Sequence, residues 1–137
     1  MKLSRKIASF VFAWALAHPA VAAAVGIDGV WQNRNHTVDV RIAPCGARYC
    51  GIVIAARGEA LDKARALGMT RLVGAHILKD YVPSRDGTWR GSVFVPELRG
   101  HVGSTIRLVD DHTLQVSGCA LGGLVCKTKV WHRVSTH

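Results

Sequence analysis

Gly29-Val30-Trp31 near the front of the chain and Trp131-His132-Arg133 near its end decide how this sequence is read. Each triplet sits beside a short run of β-forming residues. An antiparallel sheet that follows chain order closes into a barrel only when its first strand meets its last. Aromatic and cationic side chains at both termini supply such a seam.

Between the two motifs the pattern is that of short strands. Val38-Asp39-Val40-Arg41-Ile42 alternates apolar and charged residues, the period of a strand with one buried face, and a turn follows at Pro44-Cys45-Gly46. Cys50-Gly51-Ile52-Val53-Ile54-Ala55-Ala56 is continuously apolar, which predicts a strand covered on both faces or packed under a helix. Ala60, Leu61, Ala64 and Leu67 then fall at helical spacing after Glu59, with Gly68 placed to stop the helix. The β pattern resumes over residues 72–78, 88–95, 104–109, 113–117 and 127–134. Ser84-Arg85-Asp86-Gly87 and Asp110-Asp111-His112 read as hairpin turns, and Gly118 with Gly122-Gly123 as a looser connection. Sequential hairpins of this size predict a mainly β protein: a small antiparallel barrel of about eight strands with one short helix.

Residues 1–22 have the three parts of a secretory signal peptide. Lys2, Arg5 and Lys6 precede an apolar stretch from Ile7 to Ala17, and Ala20-Val21-Ala22 offers the cleavage point. The apolar stretch is far shorter than the roughly 20 residues a membrane-spanning helix needs. The reading is therefore an exported protein, periplasmic or secreted, with no transmembrane segment and one domain over residues 23–137. Lys and Arg number 18 against 9 acidic residues, a net charge of +9 that falls to +6 when the leader's three cations leave. The surplus points to anionic lipid, polymer or small-acid neighbours rather than nucleic acid, because the cations are scattered and form no run.

Cys45, Cys50, Cys119 and Cys126 form an even set, which in an oxidising compartment predicts disulfides. Of three pairings, Cys45 with Cys50 and Cys119 with Cys126 is favoured because each pair flanks a short Gly-containing turn. Four and six intervening residues do not match zinc-knuckle spacing, and no metal or cofactor is expected.

Gly29-Val30-Trp31, Ile42-Ala43-Pro44-Cys45-Gly46, Cys50-Gly51-Ile52-Val53, Trp89-Arg90-Gly91, Phe94-Val95-Pro96, Leu114-Gln115-Val116-Ser117-Gly118-Cys119 and Trp131-His132-Arg133 follow one another in an order and spacing that resembles the bacterial domain-of-unknown-function family 2147. The resemblance covers essentially the whole chain after the leader. It implies an exported, lipocalin-like β-barrel with no established activity. Two departures from the commoner pattern stand out. Arg57-Gly58-Glu59-Ala60 replaces an acidic, Asn-containing segment, and Phe94 and His101 stand where a Tyr is common. The terminal motifs also resemble the lipocalin arrangement, in which a first-strand Trp closes the barrel floor under a last-strand Arg. That likeness implies structural roles for Trp31, Trp131 and Arg133.

Catalytic patterns are lacking. The seven histidines include no His-x-x-x-His pair, no Gly-x-Ser-x-Gly elbow occurs, and Asp110-Asp111 fall in a turn and Asp39 on an alternating strand. An enzyme is not expected. Two functional readings stand. In the first, Val40, Ile42, Ile54, Phe94, Ile106 and Val116 line a barrel that holds a small hydrophobic or amphiphilic ligand with an acidic head, contacted by Arg41, Trp89, Phe94 and Arg107. Arg41 and Arg107 alternate with the lining residues and so meet a ligand only at the barrel mouth. In the second, the barrel is filled and its basic outer surface docks to an anionic envelope surface or partner. Oligomeric state is left open.

Overall fold

The computed structural model describes residues 9–17 and 26–135. Eight antiparallel strands follow one another around a closed barrel in chain order: β1 (Gly29–Asn33), β2 (Val38–Cys45), β3 (Arg48–Ala56), β4 (His76–Pro83), β5 (Trp89–Val95), β6 (Gly100–Asp110), β7 (Thr113–Ala120) and β8 (Val125–Ser135). The seam forms as the terminal motifs predict, with Trp31 opposite Arg133 and Asn33 opposite Trp131. Because every connection is a simple reversal, the β2–β3, β4–β5 and β6–β7 turns share one end with residues 26–28. The β1–β2, β3–β4, β5–β6 and β7–β8 connections share the other.

Helix α1 (Glu59–Ala66) lies in the β3–β4 connection and buries only Ala64. Glu59 and Asp62 in its first turn and Lys63 and Arg65 in its last complement the helix dipole. It stops where the sequence predicts: Gly68 takes a left-handed φ of 77°, and the Gly68 and Met69 amides donate to the carbonyls of Arg65 and Ala64 at 3.0 and 2.9 Å.

The fourth strand is displaced from its predicted place at residues 72–78. Leu72 and Val73 precede a turn in which Gly74 adopts φ 92°, its amide donates to the Val53 carbonyl and the Val53 amide donates to the carbonyl of Ala75. The strand begins at His76 and continues past its predicted end at Leu78 through Lys79, Asp80 and Pro83. Asp80, at φ 59°, lies in the register shift between Lys79 and Val82. Gly118 is also corrected. It lies inside β7, where a Cβ would come within 3.0 Å of Val93 Cγ1, and only Gly122-Gly123 belongs to the β7–β8 connection.

Inward positions of all eight strands build the core, which includes Trp31, Val40, Ile42, Val53, Leu78, Tyr81, Ile106, Leu114 and Val116. Small residues opposite large ones make this possible. A Cβ on Gly91 would sit 2.5 Å from the Lys79 carbonyl oxygen and 2.7 Å from Tyr81 Cγ, so the bare glycine is what lets the Tyr81 ring lie across the wall. Two of the predicted lining residues do not face in. Val53 is 1% exposed and its neighbour Ile54 37%, while Val93 packs on the core and Phe94 turns outward beside His101. Among the described residues neither a second layer nor α1 covers Ile54 on β3. The continuous apolar run of β3 carries no alternation to show which face is which.

The disulfides are Cys45–Cys50 and Cys119–Cys126. The first crosses the β2–β3 hairpin diagonally at the tight-turn end. The second joins directly opposed residues of β7 and β8 at the other end, with 4.1 Å between Cα atoms. Residues 9–17 have no regular secondary structure, and the predicted cleavage point at Ala20-Val21-Ala22 lies outside the described residues. Among the described residues no helix is long and apolar enough to cross a membrane.

Candidate functional site

A barrel of eight strands has room inside for side chains or for one small ligand. Here side chains fill it. Trp31, Val40, Ile42, Leu78, Leu114, Val116 and Trp131 line a cavity of only about 10 Å³ among these side chains, space for about one water molecule. Deeper in the wall the Tyr81 hydroxyl and Ser104 Oγ are buried without a hydrogen-bond partner among the described residues. Burial pushes the Tyr81 phenol up to about 12, against a smaller opposing influence of Ser104.

The four residues read as ligand contacts are not gathered into one place. Arg41 lies exposed on the outside of β2 and Arg107 exposed on the outside of β6, across the barrel. Trp89 packs against the core at the start of β5, paired with Ile106. Phe94, near the other end of that strand, meets His101 with ring centroids 5.4 Å apart. Arg41 borders a shallow, mostly apolar groove of about 180 Å³ on the outer β2–β3 wall, formed with Ala43, Pro44, the Cys45–Cys50 disulfide, Ile52 and Ile54.

Arg133 ties the tight-turn end together. Its guanidinium carbon lies 4.2 Å from the centroid of the buried Trp31 ring. Nη2 donates to the Gly26 carbonyl at 2.8 Å, Nε to the Asp111 carbonyl at 2.7 Å, and Nη1 to the Asp28 carbonyl. Trp31 Nε1 donates to the Ile27 carbonyl at 2.9 Å, so ring and guanidinium both fasten the segment entering β1. Burial lowers the pKa of Arg133, since its charge is partly withdrawn from water.

The opposite end is polar and then apolar. On the outer wall Arg57 forms a two-pronged ion pair with Asp39 at 2.8 and 3.2 Å, and Gln32 Nε2 donates to the same carboxylate at 2.8 Å. The Arg57 bond, ahead of the opposing effect of burial, holds the Asp39 carboxyl below its usual pKa. His36 touches Gln32 Oε1, and Asn35 Nδ2 donates to Glu59 at 2.7 Å, joining the β1–β2 turn to α1. Lys63 of α1 bridges to Glu97 in the 3-10 turn Pro96–Leu98 at 2.7 Å. Lys63 is the main cause of that carboxyl's lowered pKa, and Lys127 of β8 adds a smaller charge effect.

Beyond these groups stands the β7–β8 connection, a 3-10 turn over Leu121–Gly123. Leu121 is 73% exposed and Leu124 87%, and Leu98 on the preceding hairpin is also exposed. Lys127 and Lys129 are exposed on the adjoining strand. Because β1 ends opposite Trp131, residues 125–130 of β8 pair only with β7. The glycines of this segment predict a turn, but a Leu flanks the Gly-Gly on each side, where turn chemistry alone favours polar residues, and that pair is the signal of an exposed apolar tip.

No group of three or more His, Cys, Asp or Glu residues among those described is arranged to hold a metal ion. A family model described as an uncharacterized protein conserved in bacteria, DUF2147, matches residues 29–133. No curated protein and no solved structure matches the chain. The matched span opens on the first residue of β1 and closes on Arg133 in β8, so the whole barrel with its seam is included, and the chain belongs to this family of uncharacterised bacterial proteins.

Proposed function

We propose that the protein is a non-enzymatic docking module of an oxidising compartment outside the cytoplasm, working through the outer surface of a filled barrel on an anionic envelope surface. The observation that carries this reading is an interior packed with side chains, whose cavity of about 10 Å³ holds no more than a water molecule, set against a net charge of +6 over residues 23–137, 15 Lys and Arg against 9 acidic residues. Arg41, Arg107 and Lys129 join no ion pair among the described residues and are free to meet an anion. Two disulfides and the leader-like residues 1–22 support export. The displaced carboxylates (Asp39, Asp86, Glu97 and Asp110) all shift downward, away from the neutral range where general acid–base catalysis works. The test is co-sedimentation with isolated envelope at low and high salt. Retention at low salt and release at high salt is expected. Retention indifferent to salt removes the electrostatic basis, and no retention removes docking.

The outer β2–β3 groove favours a second reading, the binding of an acidic amphiphile. Its apolar floor would take part of a chain and Arg41 the head group. Its volume of about 180 Å³ is below the several hundred Å³ usual for ligand pockets, which ranks it second. Native mass spectrometry with added fatty acid should show one bound molecule that Arg41→Ala loses; only the unliganded mass would end this reading.

A further inference from the structure

We infer that the β7–β8 tip is a membrane-surface anchor, in which Leu121 and Leu124 enter the head-group region of an anionic lipid bilayer while Lys127 and Lys129 engage its phosphates. This rests on the surface-docking reading and gives it a location and a lipid partner. Three features of the tip converge. Both leucines point into solvent, 73% and 87% exposed, at the end of a hairpin. Leu121 holds a left-handed φ of 55°, a conformation a β-carbon disfavours, so the turn that projects it is not one its local preference would select. Cys119–Cys126 ties the base of the hairpin, and the Leu124 amide donates to the Leu121 carbonyl at 3.3 Å, fixing both side chains on a short, constrained loop.

Charge chooses the occupant. Lys127 and Lys129 follow the tip, and Arg99 lies exposed after Leu98 on the neighbouring hairpin. The one carboxylate in the adjoining Pro96–Leu98 turn, Glu97, is already paired with Lys63. A projecting apolar tip with a cationic collar suits a soft anionic interface, into which the leucines can sink without a preformed socket. A protein partner would have to supply that socket.

Vesicles of equal parts phosphatidylglycerol and phosphatidylethanolamine test this, with pure phosphatidylcholine as the neutral control and wild type and variants sharing one N-terminus. The wild type should co-sediment with the anionic vesicles. Leu121→Gly with Leu124→Ser should lower partitioning by about tenfold or more, and each of Lys127→Gln and Lys129→Gln by roughly fivefold. Glycine suits the backbone at position 121, so the variant's melting point should match the wild type's and separate anchoring from folding. If the leucine variant binds anionic vesicles as well as the wild type, the tip is not the anchor although the docking reading survives. If the wild type ignores both vesicles yet sediments with envelope in a salt-sensitive way, the lipid assignment fails alone. If it binds neither, both fail.

Discussion

The two ends of this barrel use the same chain to opposite purposes. At the tight-turn end, Arg133 lies over Trp31 and draws the carbonyls of Gly26, Asp28 and Asp111 together, so first strand, last strand and a hairpin turn share one guanidinium. At the other end lies the longest connection, which carries α1, ion pairs lie on the outside, and Leu98, Leu121 and Leu124 stand in water. One end is built to close the fold. The other carries exposed leucines and lysines whose removal should leave the fold alone, which is why the proposed contact surface is placed there.

The comparison can be broken most directly at the sealed end. Trp31→Ala removes the largest buried ring and should cost about 3–5 kcal/mol; an unchanged thermal midpoint would show that the seam is not what closes the barrel. Arg133→Met keeps a long apolar stem while losing three carbonyl partners and the ring contact, and about 2 kcal/mol is expected in denaturant unfolding. At the open end, opening the hairpin clamp with Cys119→Ser and Cys126→Ser should cost about 2 kcal/mol through loop-closure entropy. Hydrogen exchange should then rise around residues 119–126 more than at the Trp31 seam.

Smaller effects sharpen the contrast. Leu121→Gly with Leu124→Ser should leave stability within about 0.5 kcal/mol of wild type, and a larger loss would make the leucines part of the core. Acid titration probes a sealed-end turn, where bonds from the Thr88 hydroxyl and amide hold the Asp86 carboxyl near 2, below its ordinary 3.8. A folded-state pKa below the unfolded value favours folding at all pH above the ordinary value, and this contribution fades as pH falls from about 4 through about 2. Carboxyl NMR should place the Asp86 titration near 2, and Thr88→Ala should move it back toward 3.8.

Much of the barrel could be read without coordinates because alternation is local. Val38 to Ile42 states its inward and outward faces in five residues, and Ser84-Arg85-Asp86-Gly87 states its turn. Reading failed where local chemistry is ambiguous. The β pattern over residues 72–78 has no sharp limits, and the strand runs instead from His76 to Pro83 because β3 and β5 pair with it on either side, placing Tyr81 in the core. Ile54 and Phe94 are apolar and by type suit the lining, but their strand neighbours Val53 and Val93 occupy the interior.

By itself, then, the sequence determined the class of fold and the helix stop at Gly68, and it favoured closure of the first strand on the last and the local pairing of the cysteines. The fold class, the helix stop and the cysteine pairing depend on residue type and short spacing, while the Trp31–Arg133 contact was implied by resemblance. Only the tertiary structure decided that the barrel is filled, that Arg41, Trp89, Phe94 and Arg107 lie apart, and that Leu121 and Leu124 project. Those facts depend on how eight strands twist and register around a common axis, and a one-residue change in register exchanges inside for outside with no local trace in the chain.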